Sequence, residues 1–140
     1  MICLIRIKGR TSLKKEIIET LNRIRLRKKY ACVVIKPTKE NLGRVKFLKD
    51  FIAFGEINNE TFEKLIEKRG KLIDKSKKIN IKEVIKKLGE GKSYEELNLK
   101  PFFRLHSPRG GIDSKIHFGK KKGVLGNNKD SINKLVEKML

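Results

Sequence analysis

The chain has 140 residues, 36 of them Lys or Arg and 16 Asp or Glu, for a formal charge of +20. A folded domain this basic repels itself unless a polyanion neutralises it, so nucleic acid is the leading partner and an anionic membrane surface a distant one. The length suits one compact domain, or a small core with an attached lobe. The apolar run before Arg6 is too short for a secretory core or a bilayer span, so a soluble, unprocessed, cytoplasmic protein is expected.

Residues 2–7, ICLIRI, are apolar and β-branched enough for a strand, and GRTS then supplies a turn with Ser12 as the expected helix cap. Leu13, Ile17, Leu21 and Ile24 follow at helical spacing and form an inward face. Lys14, Lys15, Arg23, Arg25, Arg27, Lys28 and Lys29 occupy the opposite face and the end of this helix. Cations in a last turn favour the helix dipole, but those crowded here exceed what a cap needs.

A second strand over 30–36 stops at Pro37, and Thr38 caps a short helix over 39–49 whose inward stripe is Leu42, Val45 and Leu48. A third strand spans 50–57. The order is β-α-β-α-β. Its helices return over one face of a three-stranded sheet and leave the other face to be covered or offered to a partner.

The middle of the chain is different. NNETFEKLIEKRG carries an asparagine cap, inward Phe62, Leu65 and Ile66, and a stop at Gly70. NIKEVIKKLGEG repeats the scheme, with Asn80 and Glu83 as a variant capping box, Ile81, Val84, Ile85 and Leu88 inward, and Gly89 as the stop. Ser93 and Glu96 form a further box. Residues 112–130 show no period, and a final helix over 131–139 turns Ile132, Leu135, Val136 and Met139 inward. The expected organisation is a core over 1–57, a helical lobe over 58–99, and a basic loop with a C-terminal helix over 100–140 that packs on the core. Charge follows this division: residues 1–55 carry 15 basic and 4 acidic groups, 56–99 carry 11 and 9, and 100–140 carry 10 and 3. The middle third is therefore the least suited to hold a polyanion.

Catalytic chemistry is poorly supplied. His106 and His117 are the two histidines, at a spacing that fits no zinc pattern. Cys3 and Cys32 sit in apolar runs and read as small buried hydrophobes rather than a disulfide framework. Pairing Cys32 with a histidine as a nucleophile is the weaker reading. FGKKKGVLGNN lacks the strand-to-helix setting of a phosphate loop, and the consecutive Glu95 and Glu96 do not face each other on a helix. No metal, cofactor, small-molecule substrate or enzymatic activity is expected.

The segment KPFFRLHSPRGG, residues 100–111, suits recognition instead. Arg104 and Arg109 offer planar forks for phosphate oxygens, Gly110 and Gly111 admit a close backbone approach, and Pro101 and Pro108 restrict the chain beforehand. Phe102, Phe103 and His106 are candidates to stack on unpaired bases, although Phe103 with Leu105 is better placed to anchor the loop in the core. Lys120, Lys121 and Lys122 form a simple phosphate contact.

Three stretches, IRIKGR, VKFLKDFIAFGEI and LKPFFRLHSPRGG with its GVLG sequel, resemble the universal L-thirty family of large-ribosomal-subunit proteins in its archaeal form. The resemblance implies an α+β fold with a ferredoxin-like β-α-β-α-β core and a three-stranded antiparallel sheet. It implies no catalysis, and a structural place on large-subunit ribosomal RNA near the 5S RNA region, beside neighbouring ribosomal proteins. No long basic extension precedes Ile2, which points away from the eukaryotic type. Arg104, His106, Arg109, Gly110 and Gly111 match the family's loop. Arg6, Lys8, Arg10, Arg25, Arg27, Lys28, Lys29, Arg44, Lys46 and Lys120, Lys121 and Lys122 complete the expected RNA-contact set. The chain departs from the family at Arg44, where an apolar residue is common, at Ser107 in place of a proline, and at Asn127 and Asn128. The rival functions are a general DNA- or RNA-packaging protein and an RNA-processing enzyme centred on His106.

Overall fold

The computed structural model describes residues 1–9, 11–112, 114–119 and 123–140, with the backbone alone at 114–116. Its first half follows the expected order: β1 (Ile2–Arg6), α1 (Lys15–Arg23), β2 (Ala31–Ile35), α2 (Lys39–Leu48) and β3 (Ile52–Glu56). β1 is central and pairs antiparallel with both neighbours, Leu4 standing opposite Val33 on one side and Phe54 on the other. Alternation along β1 divides the core. Ile2 and Leu4 join Leu21, Ile24, Val45 and Leu48 beneath α1 and α2. Cys3, Ile5 and Ile7 join a second cluster on the opposite side of the sheet.

That second side is not open. It is covered by α3 (Asn59–Arg69), α4 (Ile81–Glu90) and α5 (Ser131–Met139), whose Phe62, Leu65, Val84, Leu88, Ile132 and Val136 are buried in one cluster with Cys32 and Val34. Of the two alternatives, covered or offered to a partner, this face takes the first, because the amphipathic helices of the middle and end of the chain have their own apolar stripes to bury. Cys3 and Cys32 are free and fully buried there, with sulfurs 3.4 Å apart. The hydrogen bond with the Cys3 thiol, together with burial, pushes Cys32 above its usual pKa, and both act as apolar filling.

The three antiparallel strands are the centre of a larger sheet. β4 (Phe103–Arg104), β5 (Ser114–His117) and β6 (Gly123–Asn127) extend it to the order β4-β2-β1-β3-β6-β5. β6 lies parallel to β3 with Gly126 opposite Ala53. Residues 112–130 are thus partly strand, which their composition conceals: ladder bonds come from the neighbouring strand, and a short segment interrupted by glycine shows no alternation of its own.

Packing outweighs capping in holding these helices. Ser12 does not cap α1; it lies in a turn at φ +62°, and the N-cap Lys14 makes no side-chain bond. A missing cap costs about 1 kcal/mol, whereas burial of Leu21 and Ile24 contributes roughly 1.5–3 kcal/mol each. Thr38 and Asn58 do cap α2 and α3, accepting from the Asn41 and Thr61 amides. Leu42 is exposed, because α2 rests on the sheet through Val45 and Leu48 while its first turn reaches the rim of a groove with Ile2 and Phe54. α4 runs through Gly89 and stops at Gly91, whose φ of +111° is the left-handed conformation that ends a helix.

Candidate nucleic-acid interface

The basic segment after α1 is a folded loop. Leu26 is buried in the same cluster as Leu21, and its amide donates to the Leu21 carbonyl at 2.8 Å while the Arg25 amide donates to Asn22 at 3.1 Å. This pair of bonds closes a helix on a left-handed residue, a position that normally takes glycine. Here it is Arg25, at φ +69°. Tyr30 at the far end of the loop is also left-handed, at φ +64°, with its amide donating to the Arg6 carbonyl at 2.7 Å. With Ile24 and Leu26 turned inward, Arg25, Arg27, Lys28 and Lys29 project into solvent.

Arg6 sits beneath them. Its side chain is 1% exposed, with Nη1 donating to the carbonyls of Leu26 and Arg27 and Nε to that of Lys8, each at 2.9 Å. A guanidinium on the inward side of β1 cannot stay buried without acceptors, and the loop's main chain supplies them. Arg6 therefore braces the basic loop from inside.

KPFFRLHSPRGG is specified by what it docks on. β4 pairs with β2, with Arg104 opposite Ala31 and Phe103 opposite Cys32. The Leu105 amide donates to Tyr30, and those of His106 and Arg109 donate to the carbonyls of Met139 and Lys138, which the end of α5 leaves without helical partners. Phe103 is buried in a T-shaped pair with Tyr94, ring centroids 6.3 Å apart. The Tyr94 hydroxyl donates to the Val34 carbonyl at 2.6 Å, and burial raises its pKa well above the usual phenol range. The His106 ring lies against the carbonyl oxygens of Ser107 and Leu140, so here it closes the loop. Gly110 and Gly111, at φ +81° and +76°, have no neighbour within 4 Å of an added Cβ. Their backbone is open to an approaching molecule.

Because β4 lies on the edge of β2, the two segments meet. Arg25, Arg27 and Lys28 from the loop, Ala31 from β2, and Phe102 and Arg104 from the β4 segment line one cleft of about 240 Å³. Arg104 lies over the Phe102 ring, 5.9 Å from its centroid. Glu95 reaches the same rim, its carboxylate 3.7 Å from Arg25. A second, more open recess is lined by Arg6, Gly9, Arg27, Lys28 and Lys29.

Against known proteins the chain matches no protein-family model. It is 39% identical to the large ribosomal subunit protein uL30 of Archaeoglobus fulgidus, covering 99% of both chains. It is 34% identical to that of Methanosphaera stadtmanae over the whole of both chains, and 34% identical to that of Nanoarchaeum equitans over 94% of this chain and 93% of the relative. The chain belongs to the uL30 family.

As a uL30-family member it is a structural protein of the large ribosomal subunit and not an enzyme. Among the described residues no group of three or more metal-ligating side chains assembles, and no helix is long and apolar enough to cross a membrane. His117 instead faces Asp50, Nε2 to Oδ1 at 2.8 Å.

Not every expected contact residue of this uL30 chain joins the cleft. Lys8 lies over Phe51 and Lys29 over Tyr30, and neither lines the cleft. Arg44 and Lys46 are on α2, and Arg109, Gly110 and Gly111 stand beside the end of α5. Arg10, Lys120, Lys121 and Lys122 lie outside the described residues. Asn128 is buried, its amide bonded to the carbonyls of Val124 and Gly126, and so shapes the end of β6. Ala31 carries no local signal, and Glu95 reads in sequence only as one of two consecutive carboxylates that do not face each other, so nothing local places either at the cleft. Phe102 was signalled, as the more exposed of an adjacent aromatic pair, but only the pairing of β4 with β2 puts it among cations.

Proposed function

We propose that this uL30-family chain binds and stabilises folded large-subunit ribosomal RNA, with its main grip at the basic loop after α1 and the β4 segment. The observation that carries the reading is the meeting of Arg25, Arg27, Lys28 and Arg104 in one cleft on a chain of formal charge +20. Four cations held this close repel one another, and phosphate oxygens remove that repulsion while accepting bidentate bonds from the guanidinium forks. Arg109, Gly110, Gly111 and the remaining exposed lysines extend the contact along the backbone. Neighbouring ribosomal proteins are the other partners, and a position near the 5S RNA region rests on the family resemblance. As a ribosomal protein it resides in the cytoplasm within the ribosome.

The test is binding of the purified protein to large-subunit ribosomal RNA across a salt series. With about six phosphate contacts, log affinity should fall with log salt at a slope of at least about 4. Duplex DNA of matched length should compete poorly. A salt-independent affinity, or equal competition by DNA, would count against the reading.

A further inference from the structure

The cleft is more than a charged patch. A surface that only follows a duplex backbone needs cations on an accessible face, yet this one is a cleft whose lining adds Ala31 and Phe102 to its cations. An aromatic ring among guanidinium groups matches an amphipathic anion, one end flat and apolar and the other a phosphate. At about 240 Å³ the cleft falls short of the roughly 300 Å³ at which pockets for larger ligands begin. It has room for one nucleoside.

Its walls are also fixed in advance. Arg25 occupies a left-handed position that glycine would fill without strain, and Arg6 locks the Leu26 and Arg27 carbonyls from below. A local rule is broken where the residue is aimed into the cleft, and such outliers gather at binding sites.

We propose that the cleft takes a single unpaired nucleotide of the RNA, its base stacked on the layered pair of Arg104 guanidinium and Phe102 ring and its phosphate held by Arg25, Arg27 and Lys28. This rests on the RNA-binding reading and adds to it the class of RNA element recognised: a flipped-out or looped base, not a continuous helix. The chemistry follows from geometry, since a paired base shows only its edge and cannot offer a face to the ring.

The experiment uses the full-length protein and two RNA probes of equal length, a blunt duplex and a hairpin whose loop carries 2-aminopurine. Binding of the wild type should quench 2-aminopurine fluorescence, and the hairpin should bind more tightly than the duplex. Phe102→Leu keeps an apolar filler without an aromatic face. It should weaken hairpin binding roughly tenfold, the size of one base–aromatic stack, and leave duplex binding unchanged. Phe102→Tyr should restore the preference. Arg25→Gln should weaken both probes. If the wild type binds both probes equally with no quenching, or Phe102→Leu weakens them alike with its thermal unfolding unchanged, the single-nucleotide inference is wrong while the RNA-binding reading stands. If the wild type binds neither probe nor ribosomal RNA, the RNA-binding reading fails and the inference fails with it. The quenching measurement needs no variant, so it decides the matter even where Phe102→Leu does not fold.

Discussion

Two helices of this molecule end in the same main-chain pattern with different residues. α4 closes with the Gly91 and Lys92 amides donating to Leu88 and Lys87, and the left-handed position is glycine. α1 closes with the Arg25 and Leu26 amides donating to Asn22 and Leu21, and the left-handed position is arginine. A side chain in that conformation costs about 1 kcal/mol that glycine avoids. The α4 end points Lys92 to solvent, whereas the α1 end drives Leu26 into the core and is braced by Arg6. Strain at one terminus and none at its counterpart marks the first as a place where side-chain position is worth more than local stability.

The brace is the most sensitive part of the contrast. Arg6→Met removes the donor to three carbonyls and should lower stability by roughly 3 kcal/mol, measured by urea unfolding. A loss well under about 1 kcal/mol would mean that the loop holds itself.

Arg25→Gly makes α1 end as α4 does. Affinity for ribosomal RNA should drop by about 1.5–3 kcal/mol as a charge-assisted fork is lost. Stability in the same buffer should stay level or rise by up to about 1 kcal/mol. Opposite signs in the two measurements are the signature of a residue kept for binding.

The reciprocal change, Gly91→Arg, should cost about 1 kcal/mol in thermal unfolding and leave RNA affinity unaltered. An added Cβ there meets only the flexible Lys36 Nζ at 3.2 Å, so the cost is conformational rather than steric. Smallest of all, Glu95→Gln should change stability by less than about 0.5 kcal/mol, because its pair with Arg25 is open to solvent. Affinity for RNA should rise slightly, as one negative charge leaves the rim; a fall would show that Glu95 orients Arg25 instead of competing with phosphate.

Much of this architecture is legible from residue spacing. Leu21 and Ile24, Val45 and Leu48, and Ile132 and Val136 fall at helical intervals and are buried as that period requires, while the flanking cations stay outside. The site is harder to read. Arg6 and Arg25 are both basic residues next to apolar ones, yet one is sealed inside and the other exposed. The difference lies in which side of β1 Arg6 occupies and in a left-handed turn that Leu26 enforces by reaching the core. Phe102 and Phe103 are neighbours in sequence, yet Phe103 enters the cluster beneath α3, α4 and α5 while Phe102, just before β4, packs against the opposite cluster and lines the cleft.

The sequence by itself determined the helical and strand periods, the three-strand start of the sheet, the poverty of catalytic groups and the polyanion-seeking charge, since each depends on residue type and local spacing alone. Only the tertiary structure decided that α3, α4 and α5 close the second side of the sheet, that β4 lies on the edge of β2, and that residues 25–28 and 102–104 share one cleft. The physical reason is range. Periodicity and charge are properties of neighbours along the chain, but a strand edge, a carbonyl awaiting a donor and an aromatic ring among cations exist only once distant segments compete for the same surface.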